Sequence, residues 1–573
     1  MRWKNNREAW LRLSALVVIA MAVRGPTMDA HPERVALAIE NATVIPMDGP
    51  NTLADHTVVI ENGVITAVGP SERVIVPAGA TRIDGRGKYL MPGLVNMHAH
   101  VVDAVDLPLW IANGVTTIRD LDGRDWTLEL RDRIARRELI GPHLIVSSRI
   151  LYGSEPQWRD TTLTASENAA TIVSEIAAAG YDQIKVYFQL SAEQYYGLID
   201  AAAEHGLDVV GHVPWSVGLS GVLASGQTTI EHLTGYDDAL EGDTSPVVGQ
   251  RSQWNEIVRY QHARLDRLPA LAKVTQRSGV WNVPTLIVHA KLLPPDEKTI
   301  SRERGFAPYL RPEVLDDWAE RRRRERSADE LDAIRTALDV RRRIVAALHV
   351  AGAGILAGTD GSVGSPPGFA VHEELELLVE AGLEPIDALR AATANAAAAL
   401  RDDTFGRVAV GQRADLLLLT GDPTADIANT RSIVGVIAAG AWYDAQDLAA
   451  LRASLAERFD AERDLLARVR AGDIRPVVDE LRSAHAADPE STFREGALLN
   501  ASRALLDADR TAEALRLLEV VAGAFPESTR AWSTLGAAHV RAGNTTAART
   551  AFERALELDY QNWDAVQGLR GME

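Results

Sequence analysis

LVNMHAH, residues 94–100, joins an apolar run to two histidines set two apart. In a strand, residues two apart point to one face, so the imidazoles of His98 and His100 can reach a single metal ion. They follow Met91-Pro92-Gly93 and the apolar run, which puts them at the C-terminal end of a strand. Seven further β-like runs come after it: VTTIRDL, HLIVSSRI, QIKVYF, LDVVGHV, TTIEHL, VWNVPTLIVH and GILAGTD, with helix-like segments between them. Eight strands alternating with helices predict a (β/α)8 TIM barrel over residues 93–400, with its functional residues at the C-terminal strand ends. Asp237–Arg267 and the basic run Arg321–Arg326 exceed what a minimal crossover needs. They are expected to be helical insertions, the basic run forming a solvated helix face.

Outward from the barrel the texture changes on both sides. Residues 31–92 and 401–443 read as short alternating strands punctuated by Gly and Pro, and Glu61-Asn62-Gly63 is a hairpin signal between two β-branched runs. They predict one β-sandwich domain assembled from both flanks. From 444 to 573 the sequence is rich in Ala, Leu, Arg and Glu at helical spacing. Trp532, Leu535, Gly536, Ala548, Phe552 and Ala555 fall on the tetratricopeptide pattern, and Ala514, Leu518 and Pro526 echo it one repeat earlier. The tail therefore resembles two to three tetratricopeptide units, with a plain helical bundle as the alternative. At the other end Arg2, Lys4, Arg7 and Arg12 precede the apolar run Leu13–Val23, which Gly25-Pro26 breaks. That is the layout of a signal peptide over residues 1–30, and it predicts export to the periplasm or outside the cell rather than a cytoplasmic location.

Composition narrows the chemistry. A chain of 573 residues with formal charge −19 is a poor nucleic-acid binder, because phosphate recognition needs clustered Lys and Arg. With no cysteine, thiolate catalysis and Cys-based zinc sites are excluded, and any metal must be held by His, carboxylate or something rarer.

Titratable residues recur where strands end: His212 after VVG, His232 after TTIE, Asp360 after GILAGT. Each follows an apolar run, where a polar group is costly unless it is paired or ligated. One such histidine is ordinarily a satisfied core residue; several at equivalent positions point to a shared site. In QIKVYF, alternation directs Lys185 and Tyr187 into the barrel. An ammonium there would repel a cation, whereas a neutral lysine can take up carbon dioxide and become an anionic carbamate. The alternative is a lysine paired with Asp360 beside one metal ion or none. His289 is expected to end strand seven, where it and Tyr187 are candidates for substrate contact. His205, His372, His485 and His539 lie in helix-like stretches and are read as surface residues.

Together, H-x-H on strand one, Lys on strand four, His on strands five and six and Asp on strand eight resemble the amidohydrolase superfamily. The flanking PGLVNMHAH and ADLLLLTGDP support the resemblance, and GTDG with K-x-Y is similar to its imidazolonepropionase-like and metal-dependent dipeptidase branch. It implies two divalent metal ions, zinc foremost. His98, His100 and Asp360 would hold the more buried one and His212 and His232 the other, with carboxylated Lys185 as the bridging ligand. It implies hydrolysis of an amide C–N bond in a small peptide or N-acyl amino acid, with Asp360 as proton shuttle. The rival substrates are cyclic amides or lactones. A rival of another class is an inactive barrel that binds proteins, or itself, through the repeat tail; no membrane span and no nucleic acid are expected.

Overall fold

The computed structural model describes residues 36–49, 52–153, 168–361, 366–472, 474–487, 495–559 and 562–572; the signal-peptide reading lies outside them. The chain divides into two compact units, one of residues 31–310 with 314–453 and one dominated by 454–573.

In the larger unit, the predicted barrel strands appear in order as Leu94–Ala99, Val115–Asp120, His143–Val146, Gln183–Val186, Asp208–Gly211, Thr229–Glu231 and Trp281–Val283. Their ladders are parallel within two groups, strands one to three and four to seven. Backbone bonds join the groups into a ring. Ser148 N–H donates to the Gln183 carbonyl at 2.7 Å, linking strands three and four. Across the other gap runs the extended segment around Ile355, which serves as strand eight: Leu356 N–H donates to Asn282 at 2.9 Å, and Met97 N–H to Ala357 at 2.9 Å. Gly358 is required there, since a Cβ at this position would lie 2.8 Å from the His98 Cβ and 2.4 Å from a Val283 methyl. The small residue lets strand eight close against strand one.

Strand seven is shorter than its apolar run suggests. Pro284 has no N–H to continue the ladder, Thr285 adopts a left-handed conformation (φ 44°), and Leu286–Ala290 form a helix. His289 therefore lies on that helix and not at the end of a strand.

The flanking segments form one eight-stranded sheet containing Leu37–Val44, Leu53–Glu61, Val64–Pro70 and Tyr89–Pro92 from the N-terminal side and Leu416–Leu419, Ile433–Ala438 and Ala441–Asp444 from the C-terminal side. Asn62 and Gly63, both at positive φ, make the expected tight hairpin. Ile65 N–H donates to Gln412, so the edge strand meets the chain just before Leu416 and the sheet curls around a core of Ile39, Val58, Ile60, Leu416 and Ile437.

The tail is helical. Helices starting at Glu495 and Thr511 recur at Thr529 and Thr545, each 34 residues on, which is the tetratricopeptide period. Gly536 lies against Phe552, where a Cβ would come within 2.6 Å of the ring. Among the described residues, no helix is long and apolar enough to cross a membrane.

Candidate metal centre

Five of the six expected ligands meet at one end of the strand ring through direct contacts. His98 Nε2 and His100 Nε2 lie 3.3 and 2.9 Å from Asp360 Oδ1, and His232 Nε2 lies 4.0 Å from Oδ2. Donor atoms of His98, His232 and Asp360 all lie within 4.8 Å of one another, a group that could hold one ion and that takes in His232, which the sequence reading put on the second ion. The His212 ring centre is 5.0 Å from that of His232. His232 (φ 57°) and Asp360 (φ 52°) leave their strands in the left-handed region, a strained conformation that concentrates at functional sites.

The sixth, Lys185, is buried on strand four, and its Nζ has no hydrogen-bond partner. Burial lowers its pKa to about 8 against the opposing pull of Glu231 and Asp360. Among the described residues no ion pair within 4 Å joins it to Asp360, the contact that the alternative reading required. Its charge is felt by His212, which burial and then Lys185 hold well below the usual imidazole range. Burial, followed by the neighbouring His98, brings His232 down to about 3. His100 moves upward: burial opposes its charge, but the hydrogen bond and charge of Asp360 outweigh it. The imidazoles, the Asp360 carboxylate and the Lys185 amine are a donor set suited to divalent cations.

Behind the ligands lies a layer that the sequence reading missed. Glu231, fully buried on strand six, accepts from His98 Nδ1 at 2.7 Å and from Arg119 Nη2 at 2.8 Å. Arg119, equally buried on strand two, also donates to the Met97 carbonyl at 2.7 Å. This ties His98 to a carboxylate through the nitrogen facing away from Asp360, the usual arrangement for orienting a ligating histidine. Thr285 Oγ1 lies 2.6 Å from His232 Nδ1 and orients that ring likewise. Alternation could have flagged Glu231, which shares an inward face with Thr229 in TTIEHL, but the adjacent histidine drew the assignment.

Tyr187 follows the last residue of strand four and is buried among aromatic rings, 4.2 Å from the His212 ring centre and 4.8 Å from that of Tyr152. His289 is partly buried; burial, with Arg341 and His232 adding, lowers its pKa strongly, and its Nδ1 has no hydrogen-bond partner. His372 is not a surface residue. It is buried between Thr430 Oγ1 at 2.9 Å and the Asn113 carbonyl at 3.0 Å, a structural role.

The model of the amidohydrolase family matches residues 89–443, more than half of the chain. The chain belongs to the amidohydrolase family. A tetratricopeptide-repeat model matches residues 505–572 of this amidohydrolase. Over 96 residues, 17% of the chain, it is 38% identical to a 5-methylthioadenosine/S-adenosylhomocysteine deaminase of Symbiobacterium thermophilum, covering 22% of that protein. Over 81 residues, 14% of the chain, it is 46% identical to an imidazolonepropionase of Deinococcus deserti, covering 20% of it. The matches thus span less than a quarter of these curated relatives. A solved structure assigned as a prolidase from Bifidobacterium longum aligns with a TM-score of 0.54 at 26% identity, over 74% of this chain and 100% of that one.

Proposed function

We propose that this amidohydrolase is a metal-dependent hydrolase of an amide C–N bond in a small peptide or N-acyl amino acid. The observation that carries the reading is the buried Lys185 Nζ, without a hydrogen-bond partner, in a cluster of histidines and carboxylates. A lysine held near neutrality can add to carbon dioxide: its nitrogen lone pair forms the N–C bond, a proton leaves, and a carbamate anion results. In that form Lys185, with His98, His100, Asp360, His212 and His232, would be among the residues that hold the ions. The donor set fits a pair of divalent ions, zinc first among them.

When bound, such ions would supply Lewis acidity to a water and to the scissile carbonyl. The protein's own groups do the rest. Glu231 and Thr285 orient His98 and His232, so that the ligand nitrogens are aimed before substrate arrives. Asp360, held ionised because its histidine neighbours outweigh its burial, takes the proton of the attacking water and passes it to the leaving amine. Tyr187 beside His212 and His289 beside His232 are the proposed contacts to the substrate carbonyl or carboxylate. The tail is proposed to carry protein contacts or self-association, and the leader at residues 1–30 to direct export.

Ring opening of a cyclic amide is the second reading, favoured by the likeness to an imidazolonepropionase. Zinc-loaded protein offered a mixed library of dipeptides, N-acyl amino acids and cyclic amides, read by mass spectrometry, separates the two. Amine release that disappears in Asp360→Asn is the expected result. Opening of cyclic amides alone would select the second reading. Release of ammonia from adenine nucleosides alone, or no turnover by metal-bearing protein, would overturn both.

A further inference from the structure

A cavity of about 410 Å³ lies within the larger unit, and none of the candidate metal ligands lines it. Its walls come from Glu297–Phe306, Pro312–Arg323, Ala328–Ala351 and Phe369–Glu380, with Ile287, Ala290 and Lys291 beneath. The basic run read from sequence as a solvated helix face supplies part of this lining: Arg321, Arg322, Arg324 and Arg326 all border the cavity.

Charge in the cavity is unbalanced. Eight Lys and Arg side chains line it against five Asp and Glu, on a chain whose formal charge is −19. Glu376 alone is shared by Lys298 at 3.8 Å, Arg302 at 2.8 Å and Arg431. Glu376 is thus shared among more cations than one carboxylate can neutralise, Lys298 and Arg302 of them in the lining. Among the described residues, the side chains of Arg324 and Arg326 have no ion-pair or hydrogen-bond partner, and neither does the Nε of Arg342. Arg342 gives one Nη2 to Glu380 at 2.6 Å and keeps its Nε unsatisfied, and Glu330 is the carboxylate whose charge reaches Arg324 and Arg326. Guanidinium donors left over in this way are an arrangement that phosphate or carboxylate oxygens satisfy. The same cavity has an apolar side made by Ile287, Leu293, Trp318, Leu338 and Leu377. Its size is that of a small-molecule site.

We propose that this cavity is a second ligand site, binding a small organic anion with two or more phosphate or carboxylate charges and an apolar body. The charged end meets Arg324, Arg326 and Arg342, and the body lies toward Trp318. The site is distinct from the metal centre, although the helix Leu286–Ala290 borders both.

Isothermal titration of the full-length, metal-loaded protein with citrate, pyrophosphate and 1-naphthyl phosphate tests it. Saturable binding of at least one probe is expected, with affinity lowered about tenfold or more in Arg324→Ala/Arg326→Ala. Binding should persist in Asp360→Asn, a control that is needed because phosphates can also bind metal ions. Citrate preference would identify the ligand charge as carboxylate, and preference for the other probes as phosphate. The exposed Arg324→Ala alone, with its thermal midpoint unchanged, should weaken the same probe if the double variant fails to fold. No binding by any probe, equal affinity in wild type and arginine variants, or loss in Asp360→Asn only would overturn the site.

Discussion

At the scale of single residues, the candidate metal centre is legible where chemistry is out of place and illegible where it is balanced. His98, His212, His232 and Asp360 each interrupt an apolar run, so the sequence alone could nominate them. Lys185 could be nominated too, because an ammonium at mid-strand has no cheap explanation. Replacing Lys185 with Ala should remove most bound metal, measured by elemental analysis, and with it nearly all hydrolysis. Full metal content and rate would exclude the lysine bridge. Glu231 escaped notice because Arg119 neutralises it from another strand, and nothing local betrays a pair that only the closed ring brings together. In Glu231→Gln the His98 ring loses its carboxylate partner and Arg119 is left buried with its charge uncompensated. Metal affinity should fall by about 10–100-fold in a chelator competition. Stability should drop by roughly 3–5 kcal/mol in denaturant titration. Unchanged values of both would remove Glu231 from the site.

At the scale of elements, the order of the strands was readable and their lengths were not. Periodicity cannot show where Pro284 ends a ladder, so the run VWNVPTLIVH looked like one strand although its second half is the helix carrying His289. Burial of a helix face is equally hidden: His372 looks like a surface histidine until Thr430 and Asn113 are folded against it. The short helix also reveals a pH-sensitive contact. Glu374, fully buried, accepts from the Leu286 and Ile287 amides at 2.9 and 2.8 Å, yet its burial outweighs those bonds and raises its pKa to about 8 from 4.5. Between those two pH values the folded chain keeps a proton that the unfolded chain has released. This group's contribution to stability is therefore complete below about pH 4.5 and is lost as the pH rises towards 8. Urea titrations at several pH values should show that decline in the wild type and a flatter profile in Glu374→Gln. Parallel profiles would mean that Glu374 is ionised in the folded state.

At the scale of the whole molecule, two units with separate cores share one chain. The candidate metal ligands, from His98 to Asp360, come from the strands of the larger unit and the residues just after them, in a ring closed by its own backbone bonds. The repeat unit has its own apolar interior, including Leu498, Leu517, Leu518, Val521 and Leu535, and its stability is expected to build from neighbouring helix pairs. No candidate metal ligand and no lining residue of the cavity lies in the segment 454–573. A chain ended after Ala453 should therefore keep its metal and its turnover to within about twofold. The separate segment 454–573 should unfold as a helical array, followed by circular dichroism. Interaction with a partner or self-association, followed by light scattering, should go with the tail. If the shortened chain bound metal but turned over at a small fraction of the full rate, the repeat unit would have to be part of the catalytic apparatus. A hydrolase with an independent binding appendage would then be the wrong description of this chain.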